Sequence, residues 1–293
     1  MIAVILAAGL GTRFLPVTKA IPKEMLPIVD KPAIQYIVEE ADAADADPIV
    51  IVTSKSKPAI EAHFEREADY ETYLEEHDKA DYAEKIRTLS KYPVAFVYQE
   101  EQLGSGHAVN CARDMILASG TAFSSENLQT DKATEPFFVL LGDVIVPNND
   151  MLQKMMEVSK AHDMASVIAV NRVSIEETKR YGVIDGIDLS DQGEQGVWQV
   201  RGLVEKPQSD PPSNLAIFGR YLLSPKVLQI LPLIEADANG EYQLTDALVE
   251  LIKTDEMYAL EIKEDDGYDV GTIKNWLIAN HMLSQENPEY TNL

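Results

Sequence analysis

The chain has 293 residues, enough for one large domain, and its 45% hydrophobic and 25% charged content suits a packed protein in water. A net charge of −24 argues against nonspecific binding to nucleic acid or anionic lipid. No apolar run approaches the ~20 residues of a membrane span, and the single cysteine, Cys111, excludes an internal disulfide, so a cytoplasmic, reducing setting is expected.

From the start, Ile2-Ala3-Val4-Ile5-Leu6 is a continuous apolar run, which predicts a strand covered on both faces. The run is short and has no basic leader, so it reads as strand and turn, not as a signal peptide. Gly9 and Gly11 follow as loop residues. Pro32 then opens a helical stretch from a first-turn position, with Ile34, Ile37 and Val38 on one face. Further strands are predicted at 49–52, 94–98 and 137–141, with helical spacing over 57–91 and 106–118. Residues 119–135, rich in Gly, Ser, Thr, Asn and Asp, are expected to form a surface loop. Strands alternating with helices predict an α/β fold with a mainly parallel central sheet flanked by helices.

Past a helix near 150–162 the pattern changes. Strand-like segments at 165–170, 182–187, 197–204 and 214–222 lie close together, separated by turn-rich pieces. They predict a smaller, partly antiparallel lobe built onto the same sheet, followed by helix (243–253), strand (258–262) and helix (272–284). The chain is expected to be a single domain, with a core over roughly 1–163 and a second part over roughly 164–293.

Charge is unevenly spread. Residues 1–31 hold Arg13, Lys19, Lys23 and Lys31 against Glu24 and Asp30, a balance of +2 inside a protein of −24. Within this island Leu6-Ala7-Ala8-Gly9-Leu10-Gly11-Thr12-Arg13-Phe14 has small residues after a strand, so backbone N–H groups can approach a phosphate. Phe14 occupies the third small position of a dinucleotide fingerprint, and no Gly-Lys-Ser/Thr follows as in a P-loop. Arg13 supplies a cation able to grip phosphate oxygens bidentately. Lys23 follows Pro22, which fixes the local backbone and lets the lysine be aimed at the same pocket.

These residues, with Pro22-Lys23-Glu24-Met25-Leu26-Pro27, resemble the signature of the sugar nucleotidyltransferases, and the uridylyl-transferring members of bacteria above all. The resemblance continues through Gln99 to Val109, Leu141-Gly142-Asp143, Arg180-Tyr181-Gly182-Val183-Ile184, Val204-Glu205-Lys206-Pro207, Gly240 to Leu248 and Tyr268-Asp269-Val270-Gly271. It implies a Rossmann-like nucleotide-binding core with a sugar-side lobe. It also implies Mg²⁺ dependence, the substrates UTP and glucose 1-phosphate, and assembly into a homodimer or homotetramer. Residue by residue, Ala7, Ala8, Gly9, Gly11 and Thr12 would wrap the triphosphate, with Arg13 and Lys23 on its phosphates. Gln99 would read the uracil edge, helped by backbone around Gly104. Asp143 and Asp269 would hold the metal. Gly182 and Glu205 would meet the sugar hydroxyls, and Lys206 the sugar phosphate.

Such residues suit the chemistry, because an anionic sugar phosphate needs no strong base, only positioning and charge neutralisation. Taken singly, Asp143 reads equally as a turn residue or helix cap, and Lys206 as a solvated lysine. His107 reads as a cap or packing residue, Cys111 as a core thiol, and Trp198 and Trp276 as packing residues. Thymidylyl transfer, another sugar 1-phosphate and a regulatory paralogue without activity stay open. A nicotinamide dehydrogenase is disfavoured by Phe14 and by Val52-Thr53-Ser54, where an acidic ribose ligand would stand.

Overall fold

The computed structural model describes residues 1–119, 135–263, 266–286 and 290. Apart from its two end residues, the surface loop expected over 119–135 lies outside the described residues. In chain order come β1 (Ala3–Leu6), the short pair β2 (Pro27–Ile28) and β3 (Lys31–Pro32), α1 (Ala33–Ala43) and β4 (Ile49–Thr53). Next are α2 (Pro58–Phe64), α3 (Ala68–Glu76), α4 (Ala80–Leu89), β5 (Val94–Tyr98), α5 (Ser105–Cys111), α6 (Arg113–Ser119), β6 (Phe137–Leu141), β7 (Val144–Ile145) and α7 (Met151–Ala161). The second part holds β8 (Ser166–Arg172), β9 (Gly182–Asp188), β10 (Val197–Glu205), β11 (Leu215–Leu223), α8 (Val227–Ile230), α9 (Leu244–Leu251), β12 (Met257–Ile262), β13 (Tyr268–Asp269) and α10 (Ile273–Glu286).

The expected apolar runs become buried strands because helices cover both faces of the sheet. Ala3 and Ile5 of β1 join a core with Ile34, Ile37 and Val38 of α1. Val4 joins the opposite core with Ala108 and Val109 of α5. Three local expectations are refined. Pro32 sits just before α1 with extended backbone, not inside its first turn. The helical stretch 57–91 is three helices. The stretch 106–118 is two, parted at Ala112, whose N–H bonds to Val109 O at 3.1 Å.

Among the described residues, nine strands form one sheet in the order β5-β4-β1-β6-β11-β8-β12-β10-β9. The first four are parallel to one another, as are β8 and β12. β11 runs antiparallel to both β6 and β8, and β10 is antiparallel to β12 and β9. The sheet is therefore mixed, with its parallel half in the first part of the chain. Close-spaced strands such as β9 and β10 are joined by a short turn, which permits only antiparallel pairing.

One buried ion pair locks the layers together. β11 shifts register between Ile217 and Tyr221 around Gly219, whose φ of 84° is left-handed. A methyl group there would lie 2.7 Å from Leu141 Cδ1, so only glycine fits. Arg220 then faces α1 and donates from Nη2 to Glu40 Oε2 at 2.6 Å and to Val144 O at 2.9 Å. Both charged side chains are wholly buried. Removing one partner leaves the other charge uncompensated in the interior, a loss of about 3–5 kcal/mol. Glu40→Ala is expected to lower the unfolding free energy by about that amount in urea denaturation, and the double variant Glu40→Leu/Arg220→Met by much less.

Candidate active site

β1, β4, β5 and β6 are parallel, so their carboxyl ends meet along one edge of the sheet, where open α/β sheets bind ligands. The glycine loop follows β1, Lys57 follows β4, Gln99 follows β5 and Gly142-Asp143 follows β6. Gly142 makes the close approach possible. Its N–H donates to Leu6 O at 2.9 Å, and an added methyl would lie 2.6 Å from that same oxygen. Gly11 turns the loop at φ 65°, with Thr18 Oγ1 donating to its carbonyl at 2.8 Å.

A buried lysine fastens this edge. Lys57 Nζ donates to Ala7 O at 2.7 Å and to both oxygens of Glu24 at 3.0 and 2.9 Å. Burial depresses the pKa of the Lys57 ammonium and raises that of the Glu24 carboxyl, and their mutual attraction opposes both shifts. The contact ties the end of β1 to the segment that carries Lys23. Lys23 itself forms an ion pair with Asp143 Oδ2. Burial works against both charges, but the attraction between them prevails: the lysine pKa rises, helped also by Glu24, and the aspartate pKa falls.

Asp269 reaches the same place from the far end of the chain. β13 pairs with β7, setting Asp269 against Val144, and Val270 N–H donates to Asp143 O at 2.8 Å. Asp269 Oδ1 accepts from Gly271 N–H at 2.9 Å and Oδ2 from the Tyr181 hydroxyl at 3.0 Å. Burial, then the charge of Asp269, pushes the Tyr181 phenol up to about 12, so it stays a donor at neutral pH. Arg13 Nη1 donates to Gly271 O at 3.2 Å. A methyl group added to Gly271 would lie 2.7 Å from Asp143 Oδ2, 2.9 Å from Asp269 Oδ1 and 3.3 Å from Arg13 Nη1. Two carboxylates thus face one small space, the usual protein share of a Mg²⁺ shell completed by phosphate and water. The residues fit a divalent cation.

Beside this cluster opens a cleft of about 1160 Å³ that Arg13, Asp143, Gly182, Glu205, Lys206 and Asp269 all help to line. Glu205, at the end of β10, stands opposite Gly182, the start of β9. Thr245 Oγ1 donates to Glu205 Oε2 at 2.7 Å, and Lys206 Nζ lies 3.0 Å from Oε1. Any side chain larger than glycine at 182 would press on Ile217 Cδ1 at 2.9 Å and Glu205 Oε2 at 3.1 Å. Lys206 is half-exposed at the wall of the cleft.

The remaining expected residues lie along the adjoining sheet edge, outside the lining of that cleft. Ala7 and Ala8 are buried at the strand end, Gly9 is open, and Gly11 and Thr12 complete the turn. Gln99 is buried and donates from Nε2 to Gly104 O at 3.1 Å. Gly104 has φ 94°, and a methyl there would lie 2.7 Å from Tyr242 O. Cys111 is partly buried and packs against the core, and burial raises its thiol pKa. The sequence reading missed Glu24, Lys57, Tyr181, Thr245 and the bonding of His107. Glu24 and Tyr181 stood inside quoted motifs, and Lys57 sits in the first turn after a predicted strand, which was the available signal.

The sequence profile of the nucleotidyl transferase family matches residues 2–286. The chain belongs to that family. Among curated nucleotidyl transferases, the UTP–glucose-1-phosphate uridylyltransferase of Bacillus subtilis (strain 168) is 46% identical over 273 residues, covering 92% of this chain and 86% of that one. The enzyme of the same name from Staphylococcus epidermidis (strain ATCC 12228 / FDA PCI 1200) is 44% identical over 290 residues, covering 98% and 93%. Among solved nucleotidyl transferases, a UDP-glucose pyrophosphorylase complexed with UDP-glucose superposes with a TM-score of 0.79 at 36% identity, over 98% of this chain and all of that one. A UTP-bound UGPase from Acinetobacter baumannii gives 0.81 at 35%, over 99% and 96%.

The site's ion pair has a pH signature. The Asp143 pKa is held below its ordinary value of 3.8, so the pair contributes stability above that pH and loses it as pH falls through the folded value. Asp143→Asn is expected to flatten the stability-versus-pH curve below about pH 4 in acid-denaturation measurements, with little change in the slope between pH 6 and 8.

Proposed function

We propose that the chain transfers a uridylyl group from UTP to glucose 1-phosphate, giving UDP-glucose and pyrophosphate. The observation that carries this reading is the meeting of Arg13, Lys23, Asp143 and Asp269 beside a cleft that also presents Gly182, Glu205 and Lys206. The names and bound ligands of the relatives support it.

In this reading Ala7, Ala8, Gly9, Gly11 and Thr12 turn their backbone toward the triphosphate, while Arg13 and Lys23 pair with its oxygens. Lys23 then exchanges its bond with Asp143 for one with phosphate. Gln99 and Gly104 meet the uracil edge. Gly182 leaves room for the sugar, Glu205 accepts from its hydroxyls while Thr245 fixes the carboxylate, and Lys206 pairs with the sugar phosphate. An oxygen of that phosphate attacks the α-phosphorus of UTP. The new O–P bond forms as the bond to the β-phosphate oxygen breaks in line, and the electron pair leaves on pyrophosphate. The attacking oxygen is already anionic, so no side chain has to remove a proton. Asp143 and Asp269 would hold Mg²⁺, which when bound supplies Lewis-acid neutralisation of the phosphates.

Residues 1–163 would serve the nucleotide and 164–293 the sugar. We further propose a cytoplasmic homodimer or homotetramer. Ile273 and Leu277, exposed one turn apart on α10, offer apolar contact for a second copy. Among the described residues, no helix is long and apolar enough to cross a membrane.

Pyrophosphate release tests the reading, with UTP and dTTP crossed against glucose, galactose and N-acetylglucosamine 1-phosphates, with and without Mg²⁺. Turnover is expected to be highest with UTP, glucose 1-phosphate and Mg²⁺ together, and equal use of dTTP would overturn the uridylyl assignment. Two unit charges about 4 Å apart interact by about 4 kcal/mol at an effective dielectric of about 20, roughly a thousandfold in rate. Lys206→Ala and Asp143→Asn are each expected to cost about that factor with unchanged circular dichroism. Near-normal turnover in both would remove the site.

A further inference from the structure

His107 lies in the first turns of α5, and its neighbours define its proton. Gln99 Nε2 is 3.1 Å from Gly104 O and 2.9 Å from His107 Nδ1. A carbonyl oxygen has no proton to give, so the Gln99 atom beside Gly104 O must be the NH₂ group, whatever the histidine does. Its second N–H then points at Nδ1, which must accept, placing the imidazole proton on Nε2. Cys111 Sγ does not compete. It lies 3.9 Å from Nδ1 and 4.0 Å from Nε2, nearly equidistant, so it packs across the ring and bonds to neither nitrogen in particular.

Both Gln99 protons are therefore spent inside the protein, and Oε1 is the atom the amide can offer to a ligand. Gln99 is 4% exposed and its own N–H is held by Thr53 O at 2.8 Å, so the side chain has little room to choose another pose. Turning the amide over would set Oε1 against Gly104 O and the Nδ1 lone pair together.

We propose that His107 is a specificity-determining positioning residue: with Gly104 O holding the first Gln99 N–H, its Nδ1 takes up the second, so that only the amide's acceptor is left for the base. The inference rests on the reading in which Gln99 meets the nucleotide base. An acceptor there pairs with the N3–H of a uracil ring. Facing cytosine, whose N3 carries a lone pair and no proton, the same oxygen meets repulsion. By withdrawing the N–H that could otherwise donate to cytosine N3, His107 favours a keto pyrimidine over an amino pyrimidine without touching either. The contact acts on the base only, leaving the sugar phosphate and the phosphate chemistry to other residues.

The test compares kcat/KM for UTP and CTP, with glucose 1-phosphate saturating, in wild type, His107→Leu and His107→Asn. His107→Leu removes the acceptor, and the UTP:CTP ratio is expected to fall by about tenfold, the loss of one hydrogen bond. Asn places an acceptor oxygen near the position of Nδ1, and His107→Asn is expected to restore most of the ratio. KM for glucose 1-phosphate is expected to stay within about twofold throughout. Equal loss with both nucleotides, or an unchanged ratio in His107→Leu, would overturn the proposal, since a residue that only packs shifts both alike. Two-bond ¹H–¹⁵N spectra of the wild type test it without a variant: a neutral ring protonated on Nε2 is expected, and protonation on Nδ1 contradicts it. Absence of UTP turnover in wild type would sink the underlying reading, whereas an active wild type with an insensitive ratio sinks this inference alone.

Discussion

Two carboxylates cannot share a small space unless positive charge sits with them. Asp143 and Asp269 face one position within 3 Å of an oxygen from each, and the fold places Lys23 on the first and Arg13 at the rim. At an effective dielectric of about 20, two like charges 4 Å apart repel by about 4 kcal/mol, comparable to a good part of a domain's stability. In the proposed reading those cations would turn to the triphosphate, and Asp143 and Asp269 would hold a divalent cation whose charge offsets theirs. In that reading ground-state stability and catalytic readiness would draw on one cluster.

Much of the surrounding architecture serves to hold that cluster still. β7 and β13 are only two residues each, too short to fix anything alone. Arg220 steadies β7 by donating to Val144 O while anchored on Glu40, and α10 follows β13 directly. At the other side Lys57 binds the last carbonyl of the glycine loop's entry and Glu24 at once, so the loop and Lys23 cannot drift apart. The acidic remainder of the chain sets off residues 1–31 as a basic island, where the proposed reading would place the anionic substrate.

What the sequence revealed, and what it hid, follows from the range of the contacts. Phe137–Leu141 was legible to the residue because a strand buried on both faces must be a continuous apolar run, and Val94–Tyr98, a half-buried edge strand, because its residues are apolar and aromatic. The glycine loop, Arg13 and Lys23 were legible because they are contiguous. Tyr181 with Asp269, Thr245 with Glu205, and Lys57 with Glu24 lie 88, 40 and 33 residues apart, and no local pattern announces such partnerships. Arg220, a charge inside the apolar run of β11, could have been flagged as a buried ion pair in want of a partner, though its glutamate stands 180 residues earlier. The antiparallel region was expected, but the place of β11 between β6 and β8 is a tertiary insertion that strand spacing does not encode.

The central claim is that Asp143 and Asp269 act as one cation site. It is tested most directly by Mn²⁺ binding in the presence of UTP, followed by electron paramagnetic resonance in wild type, Asp143→Asn and Asp269→Asn. Each substitution is expected to weaken binding by at least about tenfold, as the loss of a carboxylate from a two-carboxylate site requires. Wild-type affinity in either variant would contradict the account.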